Sequence, residues 1–292
     1  MASPTLTGSA DIAPAVLQTG KRPRKAMDLK YQPGFATVAL FCMALLYAPI
    51  LVLVIFSFNG GLSVTRWGGF GLNWYATAIR NEGFHHAAAT SMEIAITATI
   101  VSTIVATAAA IATTRTRRWP GQTASFMVIN LPLMVPEIIT AVASLSFFAL
   151  LASVLHINLG LGNLMLVHTV FCIPFAYMPI RARLEDMDLT LEQAAADLYA
   201  TPWMAFRRVT LPLLIPGISA GAALAFIVSF DDFTITQLVA GPGQTTLPLF
   251  IWDHTRMPLT PEINAMSTIL LGISVAFVAT SFLIVRRRRN KK

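Results

Sequence analysis

Residues 191–218 read LEQAAADLYATPWMAFRRVTLPLLIPGI. The first half is rich in polar and small helix formers, and from Leu211 the stretch turns apolar. Thr190 followed by Gln193 has the spacing of a capping box, which predicts a helix that starts at Thr190 and runs through Leu198. Thr201 and Pro202 then supply an N-cap and a proline at the first helical position, so a second short helix follows. The two helices meet near Tyr199-Ala200. Leu191, Ala194, Ala195 and Leu198 share one apolar face, with residues in its middle small enough to admit a partner's side chains. Leu211-Pro212 leads the chain into an apolar span. An amphipathic hairpin placed there is either a docking surface for a partner outside the bilayer or a loop resting on lipid headgroups.

The membrane setting follows from composition. Hydrophobic residues make up 55% of the 292 and charged residues 12%, with a mean hydropathy of +0.65; soluble domains carry about a quarter charged residues. A spanning helix needs about 20 mainly apolar residues. Six stretches meet that requirement, at roughly 35–58, 87–113, 126–155, 163–179, 211–230 and 264–285. Pro132 and Pro136 interrupt the first half of the third, and the short fourth carries Pro174. The expected fold is all-α and polytopic, with a transmembrane domain over 31–292 and a cytoplasmic loop at about 184–210.

Six spans place both termini on one side, and basic residues choose the side. Of 21 Lys and Arg, 18 fall before span one, after span two, between spans four and five, or after span six. Arg66, Arg80 and Arg256 are the remainder. Both termini are therefore expected in the cytoplasm. The net charge of +7 reflects topology and anionic lipid, and nucleic acid is not an expected partner. Residues 1–30, rich in Ala, Pro, Ser and Thr with a basic end, read as a disordered cytoplasmic tail; a regulatory tail is the competing reading. Cys42 and Cys172 lie inside spans and read as small apolar fillers.

The hairpin resembles the loop by which membrane subunits of binding-protein-dependent ABC importers engage their ATPase. That pattern is Glu-Ala-Ala, three residues, Gly, nine residues, Ile, one residue, Leu-Pro. Here it falls on Gln193-Ala194-Ala195, Tyr199, Val209 and Leu211-Pro212. Two departures stand out: Gln193 takes the place of the acid, with Glu192 adjacent, and Tyr199 replaces a glycine that permits a left-handed turn. The resemblance implies ATPase docking through Glu192, Gln193, Ala194, Ala195, Asp197, Tyr199, Ala200 and Pro202. Further stretches resemble the second permease of spermidine/putrescine importers: LPLMVPEIITAV (131–142), HTVFCIPFAYMPIRARLEDMD (168–188), SFDDFTITQLVAGPG (229–243) and LPLFIWDHTRMPLTPEINAMSTILL (247–271). The N-terminal third matches only in its pattern of spans.

What the resemblance implies is a permease subunit with the type I ABC importer fold, in the bacterial inner membrane. Its partners would be a homologous second permease, a dimer of cytoplasmic ATPase, a periplasmic or extracellular substrate-binding protein, and membrane lipid. The expected cargo is a polyamine, putrescine or spermidine. Rival cargoes are an opine, an amino-acid derivative or a metal complex. An ion-coupled secondary transporter, which would show internal repeats with paired broken helices, is the rival from another class.

Ionisable groups at membrane depth cost about 2.5–3.5 kcal/mol at the centre and are usually functional. Candidates for a substrate pathway are Glu137 beside the helix-breaking Pro136, Asp231 and Asp232 at the end of span five, and Glu93 in span two. Competing readings are a structural acid at a broken helix for Glu137, interface solvation or docking of the delivery protein for the aspartates, and outer headgroup contact for Glu93. The spans hold acids and no deep bases, which suits a cationic solute. Phe230, Tyr177, Phe233 and Trp252 are candidates for cation–π contact, against helix packing or an interfacial belt. Trp67, Trp74 and Tyr75 read as interface anchors. His85, His86 and His254 lack metal-ligand spacing. There is no Gly-rich phosphate loop ending in Lys-Ser/Thr and no nucleophile–base arrangement. The expectation is a non-enzymatic subunit with no cofactor of its own, ATP and Mg being bound by the partner ATPase.

Overall fold

The computed structural model describes residues 33–116, 119–256 and 260–290. The tail expected over residues 1–30, and Arg117, Arg118, Lys291 and Lys292, lie outside them. Among the described residues six helices are long and apolar enough to cross a membrane: Gly34–Phe56, Glu82–Thr114, Glu137–Leu155, Leu161–Glu185, Pro202–Phe230 and Glu262–Ser281. They carry most of twelve helical elements: α1 (Pro33–Phe56), α2 (Asn73–Arg80), α3 (Glu82–Thr114), α4 (Gln122–Met134), α5 (Glu137–Leu155), α6 (Leu161–Glu185), α7 (Thr190–Asp197), α8 (Pro202–Ala205), α9 (Leu211–Phe230), α10 (Thr234–Val239), α11 (Leu247–Thr255) and α12 (Glu262–Asn290). A π-helical turn, Phe206–Thr210, joins α8 to α9. The chain divides into two compact units, one ending at Pro49 and one starting at Ile50.

In the second unit α3, α6 and α9 pack on one another and carry most of the core. Between apolar helices in lipid the driving force is close packing, so small residues line such interfaces. Alanines 87, 95, 98, 106 and 110 form the buried stripe of α3. On α9, a Cβ at Gly221 would come within 2.6 Å of the Ala176 carbonyl oxygen, and one at Gly217 within 2.6 Å of Arg183 Cβ. Those two glycines set how near α9 approaches α6. Tyr177 of α6 is fully buried, its hydroxyl 2.9 Å from Thr113 Oγ1 on α3. Cys172, also buried, donates its thiol to the Ala225 carbonyl at 3.4 Å.

Proline acts differently in spans three and four. After α4 the chain goes extended at Val135, and Pro136 stands at the N-cap position of α5. The expected interruption is thus a true break at Pro136, with α5 beginning at Glu137, whereas Pro132 sits inside α4 without ending it. In α6, Pro174 and Pro179 sit inside one continuous helix. Neighbouring helices tolerate the freed backbone groups there, and span four runs longer than its apolar core at 163–179 suggested.

The segment between α1 and α2 is held by Asn59, which is fully buried. Its Nδ2 donates to the carbonyls of Ser63 and Arg66, both at 2.8 Å, and its Oδ1 accepts from the amides of Gly61 and Gly68. Trp74 Nε1 donates to the Gly61 carbonyl at 3.0 Å, and the Tyr75 hydroxyl lies 2.6 Å from Ser57 Oγ. Trp74 and Tyr75 therefore stitch this segment together, whereas Trp67 stays half exposed.

Candidate functional site: the hairpin and a buried acid cluster

The helix α7 starts at Thr190, as its sequence predicts, but the capping box does not form. Asp188 Oδ1 accepts the Thr190 amide at 2.9 Å, and no side chain caps the helix from the expected position. Asp188, two residues ahead, takes the Thr190 amide that Gln193 would accept in a capping box. That bond and the Thr190 hydroxyl hold the Asp188 carboxyl below its usual range. The second cap is as read: Thr201 Oγ1 accepts from the Met204 amide at 3.3 Å.

Between the two short helices the chain makes a Schellman turn. The Ala200 amide donates to the Ala195 carbonyl at 3.0 Å and the Tyr199 amide to the Ala196 carbonyl at 2.9 Å. The pattern puts the residue at 199 in the left-handed region, and Tyr199 adopts φ 58°. The turn that a glycine would permit is kept with a tyrosine in it, at about 1–2 kcal/mol of local strain. Its ring is 96% exposed, beside Leu198 at 82% and Trp203 at 69%. Gln193, Ala194, Asp197 and Pro202 are exposed as well, while Ala195 and Ala200 are half buried. The apolar face read from 191, 194 and 198 is thus left open by this chain.

Glu192 points the other way. Its Oε1 accepts from Arg115 Nε at 3.2 Å, at the end of α3, and from Thr210 Oγ1 at 3.0 Å, in the π-turn. Neither partner stands out in the sequence, where Arg115 reads only as a topology charge.

Two of the acids, Glu137 and Asp232, meet around α10, which packs on α5 and α6. Asp232 is buried and caps α10: its Oδ1 accepts from the Ile235 amide at 3.3 Å and its Oδ2 from the Thr236 amide and hydroxyl, both at 3.0 Å. His168, two turns into α6, lies with Nδ1 2.9 Å from Ser229 Oγ and Nε2 3.2 Å from Thr236 Oγ1. Its Nε2 is also 3.4 Å from Asp232 Oδ2. Glu137, half buried in the first turn of α5, sets its carboxyl beside Asp232 and Thr234. No Lys or Arg pairs with Glu137 or Asp232 among the described residues.

The other candidates fall elsewhere. Asp231 is exposed at the end of α9. Glu93 is exposed on α3, without a hydrogen bond or ion pair to a described residue. Phe230 is 1% exposed and stacks on Phe226. Tyr177 is sealed against α3, so both rings are packing residues and offer no face to a solute. Phe233 and Trp252 pair at 5.2 Å, and Arg256 rides 5.5 Å over the Trp252 ring. An apolar groove of about 600 Å³ is lined by Leu131, Val135, Ile139, Phe147 and Val170. Among the described residues no three His, Cys, Asp or Glu gather closely enough to hold a metal ion.

A broken span three, an acid at the break, and a polar hairpin leading by a π-turn into span five make up this architecture. Residues 102–291 match the model of a family described as the binding-protein-dependent transport system inner membrane component. The chain belongs to that family. This permease is 36% identical over 263 residues to the putrescine transport system permease protein PotI of Escherichia coli K12, covering 89% of this chain and 93% of that one. It is 37% identical over 247 residues to the spermidine/putrescine transport system permease protein PotC of Haemophilus influenzae, covering 85% and 94%. Among solved structures, its fold is similar to a bacterial ABC transporter involved in the import of the acidic polysaccharide alginate. There the TM-score is 0.68 at 14% identity, over 87% of this chain and 94% of that one. An inward-facing methionine ABC transporter gives 0.59 at 18% identity, over 71% and 98%. The permease is an all-α, multi-pass membrane protein with the ABC importer permease fold, of a family of non-catalytic subunits.

Proposed function

We propose that this permease is one of two membrane subunits of an ATP-driven importer whose cargo is a polyamine, putrescine or spermidine. The observation that carries the reading is the approach of Glu137 to Asp232 at a helix break, with no Lys or Arg paired to either among the described residues. Two carboxylates set together repel unless a cation or proton comes between them. An alkylammonium group supplies that cation, and anionic cargo is disfavoured. The likeness to putrescine and spermidine permeases, at 34–37% identity, supports the same cargo.

In this reading both termini and the hairpin face the cytoplasm, as the distribution of Lys and Arg favours. The hairpin docks on a separate ATPase dimer that binds ATP and Mg, and a second permease completes the channel. An external binding protein delivers the cargo. A structure of the bacterial alginate ABC transporter in complex with an alginate pentasaccharide-bound periplasmic protein, similar in fold to this chain, supports such a partner. Closure of the ATPase dimer moves the hairpin and opens the acid site to alternate sides of the membrane.

The test is reconstitution of the complete complex in proteoliposomes with radiolabelled putrescine, spermidine and a neutral solute of similar length. ATP-dependent uptake of the two cations alone is expected. Equal uptake of the neutral solute would remove the polyamine assignment, and uptake without the ATPase would remove the importer.

A further inference from the structure

We propose that Glu192 works inside the chain, as a latch that binds the first hairpin helix to the end of α3 and to the π-turn before α9, and leaves docking to the opposite face. The inference rests on the reading of the hairpin as the ATPase-docking element and says how its motion reaches the spans.

The helical geometry separates the two roles. Successive residues of a helix point about 100° apart, so Glu192 and Gln193 cannot serve the same surface. Glu192 and Ala195, three residues apart, form the inner side of α7, and Gln193, Ala194, Asp197 and Leu198 are turned outward. One carboxylate oxygen joins three elements: α7 itself, Arg115 beyond α3 and Thr210 in the π-turn. The contact is sheltered, with 15% of the Arg115 side chain and 25% of the Glu192 side chain exposed. Among the described residues Glu192 is the one acid paired with Arg115, through Nε, and the guanidinium's buried Nη2 has no hydrogen-bond partner.

The π-turn gives the latch its mechanical sense. A single π-turn inside a helix is a place where the backbone is less well held than in α geometry. Without a tie across it, a push on α7 and α8 is absorbed by bending at 206–210. Thr210 closes that turn and is fixed to α7 through Glu192. A force on the hairpin then passes to α9 and, through Arg115, to α3. Glu192 and Arg115 are positioning residues and touch neither cargo nor nucleotide.

The experiment uses the full complex with its binding protein and measures three quantities: ATPase subunit retained on purification, ATP hydrolysed, and polyamine taken up per ATP. For Glu192→Ala and Arg115→Ala the expected result is retained ATPase subunit and continued hydrolysis, with uptake per ATP lower by about fivefold or more, the scale of a coupling between sites. Thr210→Val should lower the ratio less. Glu192→Gln, which keeps a hydrogen-bonding oxygen, and the swap Glu192→Arg with Arg115→Glu should restore part of it. Loss of the ATPase subunit from Glu192→Ala would make Glu192 a docking residue and overturn the latch. An unchanged ratio, or a swap no better than the single variants, would overturn it too. Leu198→Asp with Trp203→Asp tests the underlying reading separately: if that pair leaves ATPase binding intact, the hairpin is not the docking element.

Discussion

His168 Nε2 stands 3.4 Å from Asp232 Oδ2, and each side chain is 1% exposed. The imidazole bridges Ser229 on α9 and Thr236 on α10, while the carboxylate caps α10. Removing the ring leaves buried hydroxyls short of a partner, at about 1–3 kcal/mol each. His168→Leu should therefore lower the stability of the purified complex by about 2 kcal/mol. Asp232→Ala loses the cap and should cost about 1–2 kcal/mol. Asp232→Asn retains one carbonyl oxygen as a cap acceptor and should cost less. Melting temperatures in detergent check the order, and Asn as damaging as Ala would show that charge, not capping, holds α10.

The carboxyl of Glu137 lies beside that of Asp232 and makes no ion pair with a base among the described residues. A Glu137→Gln exchange keeps shape and hydrogen bonding and removes the charge. Uptake of putrescine and spermidine should fall by about tenfold to a hundredfold, one charge-assisted hydrogen bond being worth roughly 1.5–3 kcal/mol. Binding of the ATPase subunit should be unchanged. Initial uptake rates at several substrate concentrations check this; rates equal to those of the parent would take Glu137 out of the cargo's path.

Glu137 stood out in the sequence as a candidate because it is a charge after a proline in an apolar run. His168 carried a similar signal, a lone imidazole in an apolar span, yet its partners come from the far end of the next span and the short helix after it. No periodicity reveals that pairing. The number of spans and the hairpin followed from local chemistry: apolar length, Thr201-Pro202, and the return at Leu211-Pro212. The direction in which Glu192 points did not, because it depends on where α3 ends. Phe230 and Tyr177 shared the residue type and depth of solute-facing rings, and only packing against Phe226 and Thr113 shows otherwise.

Tyr199 holds a left-handed conformation with its ring in the open. Glycine adopts this φ without a Cβ clash, so Tyr199→Gly should relieve about 1 kcal/mol of strain in the turn. A β-branched residue should do the reverse, and Tyr199→Val should destabilise the hairpin by a further amount of about the same size. Hydrogen exchange at the amides of 195–200 reads the turn directly. Slower exchange in the glycine variant and faster exchange in the valine variant are expected; the opposite order would mean that the ring itself secures the turn.

Gly221 lets α9 lie against α6 at backbone distance. A methyl group there would stand 2.6 Å from the Ala176 carbonyl oxygen and 3.2 Å from the Ala176 Cα. Both are backbone atoms, which cannot swing aside as the end of a side chain can. Gly221→Ala must therefore push the helices apart, and overpacking of this kind costs about 1–3 kcal/mol. The helix itself gains up to about 1 kcal/mol from alanine over glycine, so a net loss isolates the interface. Gly272 is the control, since nothing lies within 4 Å of a Cβ built there. Gly272→Ala should be neutral or mildly stabilising in the same melting experiment. If Gly221→Ala behaved like Gly272→Ala, α9 and α6 would have room between them and the stripe of small residues would not set their separation.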